Sequence, residues 1–105
     1  MNLEERVQIA ILTKYYGALL TERQRDILSM YVDNNLSLAE VSEELCISRQ
    51  AVKDALDTAF QILKQTEERL HFVEKDAKLK EIIKNKLPNQ IDEATKLELI
   101  AYLED

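Results

Sequence analysis

The chain has 105 residues, 46% of them apolar and 32% charged, the balance of an ordinary globular chain and not of a disordered one. One Gly and one Pro exclude a many-stranded β fold, which needs turn residues about every ten positions, and one Cys excludes an internal disulfide. The formal net charge of -6 has the wrong sign for a generic binder of polyanions.

Asn2 and Glu5 make an N-cap-like pair that predicts the start of a first helix. Leu3, Val7, Ala10, Ile11 and Tyr15 then share one face. Gly17 stands where a left-handed C-terminal residue would stop that helix. Thr21 and Gln24 have capping-box spacing, and Gln24, Ile27, Leu28 and Tyr31 continue an inward stripe. Asp33-Asn34-Asn35 reads as a turn, because such residues tolerate the left-handed region and bond to their own backbone. Ser37 and Glu40 repeat the capping pattern and open a short helix with Leu38, Val41 and Leu45 inward. Cys46, read as a small buried hydrophobe, and Ile47 form a hinge, and Ser48 starts the fourth helix.

That helix shows no internal stop. Val52, Leu56, Ala59, Leu63, Thr66, Leu70, Val73 and Ala77 recur at alternating spacings of four and three, a heptad-like seam. The seam either pairs with a second copy, making a homodimer, or packs within the chain on the first helix. A rod over residues 48–87 would be about 60 Å long, so a bend is expected between Glu74 and Lys78. Lys80 breaks the register, Leu79, Ile82, Ile83 and Leu87 set up a new face, and Pro88 ends the run. The last helix, from Asp92-Glu93-Ala94 to Asp105, carries acid in its first turn. Leu97, Leu99, Ile100, Tyr102 and Leu103 leave it little polar face, so it should dock on something.

The expected fold is all-α and a single domain over residues 1–105. It has a trihelical helix-turn-helix core at 21–60 and a helical extension at 61–105 for dimerisation or docking. In such a motif one helix crosses the nucleic-acid backbone while the second lies in the major groove. Here the second helix opens with Ser48, Arg49 and Gln50, followed a turn later by Lys53. Arg suits guanine O6 and N7, Gln suits adenine N6 and N7, and Ser48 with the free first-turn N–H groups could hold a phosphate. Arg23 and Arg25 are candidate neighbours. Asp54 and Asp57 balance the cations of this face. The alternative is a solvated helix face on a purely structural scaffold.

Three segments of the chain resemble a known family: Leu20-Thr-Glu-Arg-Gln-Arg25, Leu36-Ser-Leu-Ala-Glu-Val41 and Ile47-Ser-Arg-Gln-Ala-Val52. They look like the YlxM family of small helix-turn-helix proteins, itself distantly similar to the DNA-binding region four of sigma factors. The likeness spans about residues 10 to 75, and Ser48-Arg-Gln-Ala-Val52 is its most specific stretch. It implies a winged-helix or sigma region-four type of core without a wing. It also implies DNA binding through Ser48, Arg49, Gln50 and Lys53, and a regulatory part in the signal recognition particle pathway. A protein or RNA component of that particle then becomes a candidate partner. Cys46 stands where many helix-turn-helix proteins have Gly.

Charge is uneven along the chain: residues 21–60 sum to -4, 75–86 to +3 and 87–105 to -4. Lys75, Lys78, Lys80, Lys84 and Lys86 form a secondary basic patch that could contact a structured RNA, or could be a solvated face alternating with Asp76 and Glu81. A protein–protein adaptor, docking its acidic surface on a basic partner, is the other class of function. His71 and Cys46 are alone of their kinds and 25 positions apart, which supports neither a zinc site nor a catalytic pair. With no Gly-rich phosphate loop either, no enzyme activity and no cofactor are expected. Ile9–Leu12, the longest apolar run of the amino terminus, is too short for a bilayer, and Glu4 and Glu5 stand where a signal peptide carries positive charge. No membrane partner and a cytoplasmic location are expected.

Overall fold

A computed structural model of the chain describes residues 1–86 and 91–104. Among the described residues every regular element is helical: α1 (Leu3–Tyr16), α2 (Glu22–Leu28), α3 (Leu38–Leu45), α4 (Arg49–Leu70), α5 (Phe72–Asn85) and α6 (Glu93–Glu104). They fall into two compact units, Met1–Leu70 and His71–Asp105. Leu87, Pro88 and Asp105, which the periodicity assigned to a helix face and to helix ends, lie outside the described residues.

In the first unit the local capping chemistry sets the helix starts. The Asn2 side chain accepts from the Glu5 N–H at 2.8 Å. Thr21 and Gln24 close a reciprocal box at 3.1 and 2.9 Å, and Ser37 and Glu40 close another at 3.1 Å in both directions. Between them α2 widens into a π turn, Ser29–Asp33, followed by Asn35 at a left-handed φ of 55°. The half-buried Arg6 staples that connection to α1. Its guanidinium donates to the Val32 carbonyl at 3.1 Å and to the Asn35 side-chain oxygen.

Two expectations for α1 are corrected. The inward face is Ile9, Leu12 and Tyr16, whereas Leu3 is 76% exposed and Val7 and Ile11 are exposed too. At about 100° per residue these two apolar sets lie on opposite sides of the helix, so periodicity alone could not choose between them. Gly17 is right-handed, φ -58° and ψ -26°, and continues α1 into a 3-10 turn over Gly17–Leu19. An added Cβ there would come to 3.3 Å from the Thr13 methyl, a tight contact that Thr13 would have to relax by a few tenths of an ångström.

Helix α4 packs on α1, α2 and α3, and its buried seam is Val52, Leu56, Ala59 and Leu63. The seam is therefore consumed inside the chain. Thr66 is half-buried and Leu70 exposed. His71 then enters the left-handed region at φ 57° and ψ 28°, so the expected uninterrupted seam to Ala77 stops here, and the break falls before Glu74. Histidine is among the residues that reach this conformation more readily. Its ring Nδ1 lies 3.1 Å from Glu74, and its carbonyl accepts the Lys75 N–H at 2.8 Å. Val73 and Ala77 lie beyond this break, in α5.

In the second unit α5 and α6 pack on each other. Ile83 is the buried residue of this pair among those described, while Leu79, Leu97, Leu99 and Tyr102 stay exposed. Asp92 caps α6 by accepting the Thr95 N–H at 2.7 Å. The Thr95 backbone and side-chain hydrogen bonds hold its carboxyl below the usual carboxylate value. A depressed carboxyl stabilises the folded form above its unfolded value, and that contribution fades as pH falls through the folded one.

The far end of α4 is tied to α1 by the Tyr16 hydroxyl, which donates to a Glu67 carboxylate oxygen at 2.5 Å. Tyr16→Phe deletes this bond without altering the ring's burial. The expected loss is about 1 kcal/mol, measured as a lower urea midpoint with an unchanged denaturant slope.

Candidate nucleic-acid interface

The turn between α3 and α4 is built by three local devices. Cys46 takes the left-handed conformation, φ 55° and ψ 42°, that ends α3. Ser42 and Ile47 then bond reciprocally: the Ile47 N–H donates to the Ser42 carbonyl at 3.1 Å, and the Ser42 hydroxyl donates to the Ile47 carbonyl at 2.6 Å. Finally, the Ser48 hydroxyl oxygen accepts the Ala51 N–H at 3.0 Å and starts α4. Val41 and Val52, both 0% exposed, anchor the two helices on either side. Cys46 itself is exposed, with Sγ 3.8 Å from the Glu43 carbonyl, which corrects the buried-hydrophobe reading. Reaching the left-handed backbone turns this position out of the core.

This geometry presents the first turns of α4 to solvent. Arg49, Gln50 and Lys53 are exposed, and Val52 and Leu56 face inward behind them. Arg49 and Lys53, four residues apart, share one side of the helix. Gln50 donates to Asp54 at 2.8 Å and Lys53 pairs with Asp57 at 3.1 Å. Arg49 has no hydrogen-bond or ion-pair partner among the described residues. Ser48 is exposed as well, and its hydroxyl oxygen accepts the Ala51 N–H at the helix start.

Arg23 and Arg25 are exposed on α2, which packs on α4. Arg25 lines a shallow cleft with Ala10, Thr13 and Asp33, and no residue of α4 lines that cleft. The lysines of the secondary patch all belong to the second unit. At about 100° per residue, Lys75, Lys78 and Lys86 fall on one side of α5 and Lys80 and Lys84 on the other. Lys78 and Lys86 both approach Glu81, at 3.7 and 3.8 Å. Two residues that brace this geometry were not singled out from the sequence: Ser42, in α3, whose bonds to Ile47 close the turn, and Arg6, which fixes the connection into α3. Ser42 sits five residues before Ile47 with the donor the turn requires, so the spacing carried a signal. The Arg6 contacts reach 26 and 29 residues along the chain and left none.

Three packed helices, of which two form a short turn whose second member is exposed at its first turn, define an all-α helix-turn-helix protein. The likeness read from the three segments holds over nearly the whole chain. The chain belongs to the UPF0122 family, described as "Putative helix-turn-helix protein, YlxM / p13 like", whose pattern matches residues 3–102. It is 38% identical over 103 residues to the UPF0122 protein BH2485 of Halalkalibacterium halodurans, covering 97% of this chain and 94% of that protein. A UPF0122 protein of Clostridium kluyveri is 40% identical over 79 residues, 75% of this chain and 71% of its own. One from Mycoplasma capricolum is 36% identical over 91 residues, 87% and 80% of the two chains. The family description is thus of a helix-turn-helix protein, in keeping with the turn between α3 and α4. No described helix is long and apolar enough to cross a membrane.

The left-handed Cys46 yields a direct test. A non-glycine residue there costs about 1–2 kcal/mol, partly offset by the lower chain entropy of its unfolded state. Cys46→Gly should therefore raise stability by about 0.5 kcal/mol, seen as a higher melting temperature with an unchanged circular dichroism spectrum.

Proposed function

We propose that this chain is a DNA-binding regulatory protein that reads its target with the first turns of α4. The observation that carries the reading is the α3–α4 turn, which buries Val41 and Val52 and leaves Arg49, Gln50 and Lys53 exposed together. In a major groove the N-terminal residues of such a helix reach base edges, with Arg49 unpaired among the described residues and Gln50 and Lys53 available once their carboxylates release them. The YlxM likeness adds a regulatory place in the signal recognition particle pathway, in the cytoplasm, as part of the same proposal.

The two internal pairs shape how such binding would behave. Both are solvent-exposed, and exposed pairs of this kind are worth about 0.3–0.5 kcal/mol. Opening them is therefore cheap, while the fixed charges of Asp54 and Asp57 still repel phosphates at close range. Binding should be weak and steeply salt-dependent.

The experiment is a salt titration of the full chain from about 50 to 200 mM against genomic DNA fragments, with signal recognition particle RNA in parallel. Arg49→Ala should cost about 1–3 kcal/mol and relax preference at one base pair. Asp54→Asn should strengthen binding and flatten no part of the salt slope. Unchanged affinity in Arg49→Ala removes the groove-reading proposal. Loss of RNA binding in a Lys78→Glu, Lys84→Glu variant, with Arg49→Ala spared, would move the site to α5. No binding to either at low salt would leave the adaptor reading, in which the helix-turn-helix is a scaffold.

A further inference from the structure

The second unit, residues 71–105, is too small to complete a core alone. Chains below about 40 residues usually need a disulfide, a metal or another chain, and Ile83 is the one described residue of α5 and α6 that is buried. Helix α6 is apolar on nearly every side, with Leu97, Leu99 and Tyr102 exposed and Tyr102 83% so. Helices of that kind are ordinarily buried all round.

The exposed faces of α5 and α6 match each other. On α5, Leu79 and the half-buried Ile82 lie on the same side as Lys75, Lys78 and Lys86. This stripe lies beside the face that packs on α6, which carries Val73, Asp76, Lys80 and Ile83. On α6, Leu99 and Tyr102 form a groove with Thr95 and Glu98, and Asp92 lies on the same side one turn earlier. One helix thus offers an apolar stripe edged by lysines and the other an apolar stripe edged by carboxylates.

We propose that this unit is a homodimerisation module in which α5 of each copy packs on α6 of the other, closing a four-helix assembly. Each copy carries both halves of the match, as a two-fold interface requires. The charges also select the arrangement: α5 against α5 would set lysine against lysine, while α5 against α6 sets Lys75 and Lys78 against Glu98 and Asp92. The route through the α4 seam is closed, since Val52, Leu56, Ala59 and Leu63 are buried within the first unit. The interface is independent of whether α4 reads DNA.

Equilibrium sedimentation of the full chain should give twice the 12.2 kDa chain mass. The double variant Leu99→Glu, Tyr102→Glu should be monomeric while keeping its helical circular dichroism. Lys75→Glu should raise the dissociation constant about tenfold, and adding Glu98→Lys should restore it. If the double variant loses helix, the Lys75 and Glu98 pair of substitutions decides alone. A monomeric parent chain overturns the proposal. So does a dimer that ignores these changes but is broken by Val7→Glu on the exposed face of α1. DNA binding is read separately, because Arg49→Ala should leave the mass unchanged.

Discussion

Everything in the first unit depends on one burial event, the seating of Val52, Leu56, Ala59 and Leu63 between α1, α2 and α3. Ala59 and Leu63 are wholly buried, and fully burying a Leu side chain contributes about 1.5–3 kcal/mol relative to leaving it in water. The seam sets the rotation of α4 about its own axis. With Val52 inward, Gln50 and Lys53 are turned away from the core, and Arg49, at the very start of α4, is exposed beside them. The exposure of these three side chains is thus a consequence of core packing, and a polar residue at position 52 or 56 would turn or loosen the face proposed to read DNA without touching any exposed side chain.

The features written in the sequence are local. The caps at Asn2, Thr21, Ser37 and Ser48 involve partners three residues away, and each bond forms where the spacing placed it. The family and the all-α fold were legible for the same reason, since the turn and its flanks carry both. What escaped was tertiary. α1 is apolar on two opposite sides, and only the arrival of α4 selects Ile9, Leu12 and Tyr16 over Leu3, Val7 and Ile11. The heptad pattern ran on past Leu70 because side-chain periodicity does not register a single left-handed residue, and His71 is not a residue that ordinarily marks a helix end. Gly17 misled in the opposite sense. It is right-handed and sits close to Thr13, which no spacing rule distinguishes from a left-handed cap.

The acidic balance of the chain is easier to understand once the α4 face is seen in detail. Asp54 and Asp57 stand one helical turn beyond Gln50 and Lys53 and hold them in place. Such pairs contribute little to stability, but they keep the face near neutral and raise the cost of approach to an arbitrary phosphate backbone. If this face reads DNA as proposed, it gives up non-specific affinity first. Specific contact, in which a base edge replaces the carboxylate as partner of Gln50, loses less.

That trade leaves a single copy short of phosphate contacts. Specific binders commonly neutralise about 6–10 phosphates, and Arg49 and Lys53 supply only two cations at the head of α4. Joining two copies through the second unit would double the contacts without adding a charge to either face. The second head would then bind at an effective local concentration, which can raise avidity by about 10²–10⁴. The apolar faces of α5 and α6 and the sparing charge of α4 then become parts of one arrangement. A weak, selective head is useful when a separate module brings two of them together.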